Sequence, residues 1–286
     1  MPLGVEKKAD IMIENNILIN PTSNEIASAV HENLYALFRS MQVIPNYELA
    51  ENDCLGLHHA PLSNPMFMGA WKANFSLDNV ENEIDEVLSW FKKRNAPSFF
   101  WWTDIQTQPA GLVEHLLKRG FDGNLEGDPG MAVNLHEINE NIKLPNNLEI
   151  VWAKDNKTLV DWRNIFAEAF ESPVAAGQAW VDATISTSIE NSPWQLYVGY
   201  LNQQPVSISI LFNGAGVSGI YGVGTIPTHR NKGIGAAMTL IPLLQARNQG
   251  YHFGVLFSSR MGYSVYKRLG FYEVGNNIGL FMKEWD

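Results

Sequence analysis

Apolar residues recur along the chain with two periods, about 3.6 and 2, and the changes between them mark out the elements. Ile26, Val30, Leu34 and Leu37 share one helical face, which predicts a helix over Asn24–Met41 with Ser23 or Asn24 as its cap. Strand-like runs follow at Tyr47–Ala50, Cys54–His58 and Met66–Phe75. A second helix is predicted over Asp78–Arg94, with Val80, Ile84, Leu88 and Phe91 inward and many acids outward. An apolar strand at Ser98–Trp102, a helix ending in Lys118–Arg119–Gly120–Phe121 and a strand at Gly130–Leu135 complete this half. Ile142–Asn147, with Pro145 inside it, reads as the boundary between domains 1–145 and 146–286.

The second half repeats this order in fuller form. A strand at Leu148–Ala153 precedes helices over Asp155–Phe170 and Ala175–Glu190, separated by the turn Glu171–Ser172–Pro173. Strands at Trp194–Leu201, Pro205–Asn213 and Gly216–Ile226 lead into a helix over Gly233–Asn248. A buried strand at His252–Ser258, a helix at Gly262–Leu269 and strands at Phe271–Val274 and Ile278–Glu284 close the chain. Lys118–Arg119–Gly120–Phe121 parallels Arg268–Leu269–Gly270–Phe271, so the halves read as an internal duplication.

Charge changes this picture more than bulk composition does. The 286 residues carry a formal charge of −10 and are 45% hydrophobic, a folded chain with material for about two domains. Residues 1–145 hold 20 acids and 10 bases, whereas residues 146–286 hold 10 of each. Between Asn191 and Tyr272 there is no Asp or Glu at all, yet Arg230, Lys232, Arg247, Arg260, Lys267 and Arg268 all fall there. Such a stretch points to an anionic small-molecule partner, while the acidic total argues against a duplex nucleic-acid binder. The single Cys54 excludes an intramolecular disulfide. Met1–Asp10 lacks the apolar core of a signal peptide and no run is long enough for a membrane span, so the chain is read as cytosolic.

The residues that carry chemistry are Thr225–Ile226–Pro227–Thr228–His229–Arg230–Asn231–Lys232–Gly233–Ile234–Gly235–Ala236. A strand ends, a cationic turn follows, and a helix opens on glycines. Amides at a helix start lack intrahelical partners and sit at the positive end of the dipole, so they can hold a phosphate or pyrophosphate. Other nucleotide and hydrolase motifs do not match. There is no Gly-Lys-Ser/Thr, Met238 stands where a dinucleotide fingerprint needs Gly or Ala, and Gly216–Ile220 fails as a nucleophile elbow. His58–His59 do not have zinc spacing, and no metal site is expected.

What remains resembles the Gcn5-related N-acetyltransferase (GNAT) superfamily. Arg230-Asn231-Lys232-Gly233-Ile234-Gly235 satisfies its Arg/Gln-x-x-Gly-x-Gly/Ala signature, and Tyr266-Lys267-Arg268-Leu269-Gly270-Phe271 looks like its Tyr-x-x-Leu-Gly-Phe segment. The resemblance implies an α/β (α+β) fold with a mixed, mostly antiparallel sheet flanked by helices, in tandem, the second copy complete and the first degenerate. It further implies acetyl-CoA as cosubstrate. The amides of Asn231, Lys232, Gly233, Ile234, Gly235 and Ala236, with Arg230, would hold the pyrophosphate, and the strand edge at Val223, Gly224 and Thr225 would pair with the pantetheine arm. An amide near Thr225 would stabilise the developing oxyanion, and Tyr266 would protonate the departing thiolate. The base is open among Glu168, Glu171, Asp182, Glu273, the first domain, and Tyr221, His229 or His252 acting through water. By the resemblance, the turn between the first two helices of the domain borders the acceptor site, which favours Glu168 and Glu171.

In the first half, Ser76–Glu83 has acids where a phosphate would sit, and Leu116 stands where Tyr266 stands in the second. This half is therefore expected to hold no cofactor and to wall the acceptor cleft. The expected activity is transfer of an acetyl group to a primary amine of a small molecule, peptide or protein. A non-catalytic acyl-CoA sensor is the alternative, and a tRNA-dependent aminoacyl transferase would need a basic face that is missing.

Overall fold

The computed structural model describes residues 16–285, so Met1–Asp10 lies outside the described residues. In chain order the elements are α1 (Ser23–Ser40), β1 (Glu48–Glu51), β2 (Gly56–His59), β3 (Met68–Trp71), α2 (Val80–Lys92), β4 (Ser98–Thr103), α3 (Leu112–Lys118), β5 (Asp122–Gly123) and β6 (Asp128–Asn134). There follow β7 (Leu148–Trp152), α4 (Asn156–Ala169), α5 (Val174–Ser186), β8 (Trp194–Leu201), β9 (Gln204–Gly214), β10 (Val217–Thr225), α6 (Ile234–Asn248), β11 (Phe253–Phe257), α7 (Tyr263–Leu269) and β12 (Tyr272–Glu284). The pairings are mostly antiparallel, and the predicted elements all form, with shifts of a few residues. Thr22 caps α1, not Ser23 or Asn24: its hydroxyl accepts from Glu25 N, and Glu25 accepts from Thr22 N at 2.7 Å. Phe271–Val274 and Ile278–Glu284 are one strand, β12, that runs through Gly275 at φ 80°.

The chain packs as two compact units that do not divide at residue 145. One comprises residues 44–128 and 276–285, the other residues 16–43 and 129–275. In the first, the strand order is β1-β2-β3-β4-β12, with β5 on β12. Its core stacks Phe91 of α2 on Phe99 of β4 with ring centroids 3.8 Å apart, around Ile84, Trp101, Phe121 and Phe281. Val87, rather than Leu88, fills the fully buried position on α2.

In the second unit, β7 through β10 form an antiparallel meander, β11 joins β10 in parallel, and β6 closes the edge against β11. Here α6 covers the face where Ser209 Oγ donates to Met238 O at 2.9 Å. The opposite face takes α4, whose Ala169 and Phe170 pack at Gly224, and α1, whose Asn33 meets Tyr221. Ile26, Ala29 and Val30 of α1 share a cluster with Ala132, Val217 and Val255.

The two boundary differences have one cause. A sheet face or edge accepts whichever segment covers it, irrespective of position in the chain. The helix nearest the N-terminus therefore belongs to the second unit. The final strands are also exchanged: β6, from the first half, completes the second unit, and β12, from the second half, pairs Gly279–Glu284 with β4 in the first. Each unit still shows the progression expected of a repeat. An antiparallel pair leads to a strand whose parallel partner matches it over two positions, Gly69–Phe100 and Ala70–Trp101 in one unit, Ser218–Gly254 and Gly219–Val255 in the other.

Candidate functional site

Strand β10 is where the second unit opens. Its pairing with β9 slips between Tyr221 and Gly224, a bulge that places Gly222 at φ 54°. Its pairing with β11 stops after Gly219, so the two strands diverge and leave the C-terminal part of one β10 edge without a neighbouring strand. Ile226 N donates to Val206 O at 3.0 Å, and Ser207 Oγ donates to Gly224 O at 2.6 Å. Because Ile226 N pairs with β9, the alternation of a pleated strand turns the Thr225 N–H away from β9, toward that open edge. Gly224 has no Cβ because α4 leaves no room for one: it would lie 2.9 Å from the Phe170 ring.

Beyond β10 the chain makes a short turn over Pro227–His229 and enters α6. Asn231 at φ 62° and Gly233 at φ 81° alternate with residues of ordinary φ, which turns successive N–H groups toward one concavity. The helical bond from Ala237 N reaches Gly233 O at 3.4 Å, so the amides of Ile234, Gly235 and Ala236 precede the first helical donor. Gly235 faces Val223, whose Cγ1 would lie 4.0 Å from an added Cβ.

Arg230 differs in part from its expected role. Nε donates to Thr225 O at 3.0 Å and Nη2 to Ala169 O at 3.1 Å, so the guanidinium ties the end of β10 to the end of α4. Lys232 Nζ donates to Thr228 O at 3.1 Å and braces the same turn.

A cavity of about 510 Å³ lies at the start of α6, lined there by Lys232, Gly233 and Ala236. Val265, Arg268 and Leu269 of α7 line its other side, with Asn139, Asn141, Ile142 and Lys143. The described residues around it include no carboxylate. Sequence reasoning missed the segment 139–143, which it placed next to a domain boundary. Only Lys143 could have signalled a role there.

Tyr266 is on α7, between two residues that line the cavity, with its ring 5.8 Å from that of Phe271. Burial pushes its hydroxyl up to about 12, so it stays protonated across the neutral range. Glu168 and Glu171 are exposed and flank the Ala169–Phe170 contact with Gly224. Four of the other candidates for a base are already engaged. Tyr221 donates to Asn33 Oδ1 at 2.6 Å and burial raises its pKa. Glu273 accepts from Tyr263, and Asp182 accepts from Gln178 at 2.7 Å. His229 Nδ1 lies 2.9 Å from Thr228 Oγ1.

The matching turn of the first unit is closed. Gln108 N donates to Ala73 O at 2.9 Å and Phe75 N to Gln108 O at 3.0 Å, so the unit's own chain pairs with the edge beyond β3. The first turn of α2 carries Glu81 and Glu83, and hydrogen bonds from His115 and Arg119 hold the Glu81 carboxyl below its usual range. His58 and His59 are buried, and no group of three metal-ligating side chains occurs among the described residues. No described helix is long and apolar enough to cross a membrane.

Residues 154–275 match the family described as the acetyltransferase (GNAT) domain. No curated protein matches the sequence. Among solved structures, a GCN5-related N-acetyltransferase from Kribbella flavida is similar over 94% of this chain and 97% of its own, with 17% identity and a TM-score of 0.67. A GCN5-related N-acetyltransferase from Sphaerobacter thermophilus aligns over 92% and 94%, with 17% identity and a TM-score of 0.60. A tandem GNAT protein from the clavulanic acid biosynthesis pathway aligns over 92% and 94%, with 9% identity and a TM-score of 0.56. At these identities the likeness is one of fold.

Proposed function

We propose that the protein is an acetyl-CoA-dependent N-acetyltransferase acting on a primary amine of a small molecule, peptide or protein, a reading supported by the match of residues 154–275 to the acetyltransferase (GNAT) domain family. The observation that carries this reading is the open β10 edge, followed a few residues later in the chain by a helix start whose Gly233 lines a carboxylate-free cavity. An extended pantetheine arm, with its two amides, has the hydrogen-bonding pattern of a missing strand, and a diphosphate suits the amides from Asn231 to Ala236.

Bound acetyl-CoA supplies a thioester carbonyl. The amine nitrogen forms the new bond to that carbon, the C–S bond breaks, and the amine proton leaves to solvent or to a base. The Thr225 N–H, aimed at the open edge, stabilises the carbonyl oxygen as it gains charge. Tyr266 gives its proton to the departing sulfur, for which a hydroxyl raised to about 12 is a donor at neutral pH. Glu168 and Glu171, exposed on either side of the Ala169–Phe170 contact with Gly224, take the amine proton through water in this reading.

We read the first unit as a degenerate copy. Its strand progression repeats that of the second unit, but Gln108 fills its slot and acids stand at its helix start. Its surplus negative charge favours a cationic acceptor.

The test is thiol release from acetyl-CoA in the presence of an amine and peptide panel, alongside the melting temperature with acetyl-CoA. Expected are stabilisation by acetyl-CoA, its loss in Gly235→Glu, and amine-dependent thiol release. Stabilisation without release for any acceptor would favour a non-catalytic acyl-CoA sensor. Absence of stabilisation would refute both readings.

A further inference from the structure

The cavity at the start of α6 gathers more positive charge than one diphosphate needs. Main-chain amides from Asn231 to Ala236 already suit the diphosphate, yet Lys143, Lys232 and Arg268 also line the cavity. We propose that these three side chains form a second phosphate subsite. It would take the ribose 3′-phosphate monoester of coenzyme A and make the protein selective for that carrier over its 3′-dephospho form. The inference rests on the acyl-CoA reading and goes beyond it, because Lys143 comes from outside the matched domain.

The segment 139–143 is fastened in place. Asn139 N donates to Leu269 O at 2.9 Å, and Asn139 Nδ2 donates to Arg268 O at 2.9 Å, so the segment is pinned to the end of α7. Asn141 N donates to Asn139 Oδ1 at 3.0 Å. Past the cavity, Lys143 O and Pro145 Cδ would lie 3.5 and 4.0 Å from a Cβ on Gly233, so the segment also crosses the start of α6. Its one carboxylate is drawn off: Glu140 accepts from Arg247 at 2.8 Å. The segment therefore brings a cation to the cavity and no anion.

A diphosphate diester carries about two negative charges, and a phosphate monoester adds nearly two more at neutral pH. Three flexible cations around one open cavity match that second group better than they match a group already held by amides. Lys143 and Arg268 are exposed, so the discrimination is electrostatic and weakens as salt rises.

The test is calorimetric titration of the full chain with acetyl-CoA and with acetyl-3′-dephospho-CoA, at about 0.05 and 0.5 M salt. The expected result is a preference of about tenfold or more for acetyl-CoA at low salt. It should shrink at high salt and in Lys143→Ala and Arg268→Ala, and return in Lys143→Arg. Ligand-free melting temperatures check that the variants fold, with Lys143→Gln as the neutral substitute if Lys143→Ala does not. Equal affinity of the wild type for the two carriers overturns the subsite and leaves the acyl-CoA reading standing, as does a preference unchanged in both alanine variants. Failure of both carriers to bind overturns both.

Discussion

Tyr266 and His58 show burial acting on two titrating side chains with opposite consequences. Burial raises the Tyr266 hydroxyl to about 12, which keeps it a proton donor. Tyr266→Phe is expected to lower turnover by roughly ten- to a hundredfold, within the range of general-acid contributions, while the dissociation constant for acetyl-CoA stays nearly constant. Unchanged turnover with a good acceptor would remove the residue from the mechanism. Burial of His58 lowers its pKa from 6.5 to about 3, so the folded protein keeps the ring neutral where the unfolded chain protonates it. Its contribution to stability is complete above pH 6.5 and is lost as pH falls toward 3. A melting-temperature profile should decline over that window, and His58→Leu should decline less steeply. At this scale the Arg230–Gly235 turn was legible, because a turn that opens a helix is built from residues consecutive in sequence. The Asn33–Tyr221 bond was not: its partners are 188 residues apart and only the fold brings them together.

At the scale of elements, the site is a junction between β10, α4 and α6, and Arg230 fixes it by donating to carbonyls on β10 and α4. A lysine keeps the charge but has no planar fork to reach both carbonyls. Arg230→Lys is therefore expected to raise KM for acetyl-CoA more than it changes kcat, with a loss on the order of 1 kcal/mol; kinetics at varied acetyl-CoA decide this. α4 was legible because its buried Leu159, Trp162, Ile165, Phe166 and Ala169 recur at helical spacing, and the start of α6 because glycines open it. Periodicity could not show that β10 parts from β11 after Gly219, since strand divergence depends on pairing between segments far apart in sequence. The glycines of Gly219–Gly224 were its only trace.

For the whole molecule, the sequence-based boundary at residue 145 would make residues 146–286 an autonomous domain. The packing disagrees, because the second unit needs α1 and β6 from before that point. Ile26, Val30, Leu34, Leu37 and Phe38 of α1 are all buried. At about 1.5–3 kcal/mol each, their loss is of the order of a domain's entire stability of roughly 5–15 kcal/mol. A 146–286 fragment is thus expected to be insoluble or to lack a cooperative melt and acetyl-CoA binding, whereas the full chain shows both. A soluble fragment that binds acetyl-CoA would contradict this assignment of α1 and β6.

The exchanged final strands also set the order in which the molecule can be completed during synthesis. The residues of the second unit, 16–43 and 129–275, all precede Gly279–Glu284, which the first unit needs to pair with β4. Until that segment is made β4 presents an open edge, rich in aromatic residues, so the second unit can be finished ahead of the first. Such a chain cannot be divided into two genes by a single cut, nor can either half be transplanted alone, so the two units are bound to be inherited together.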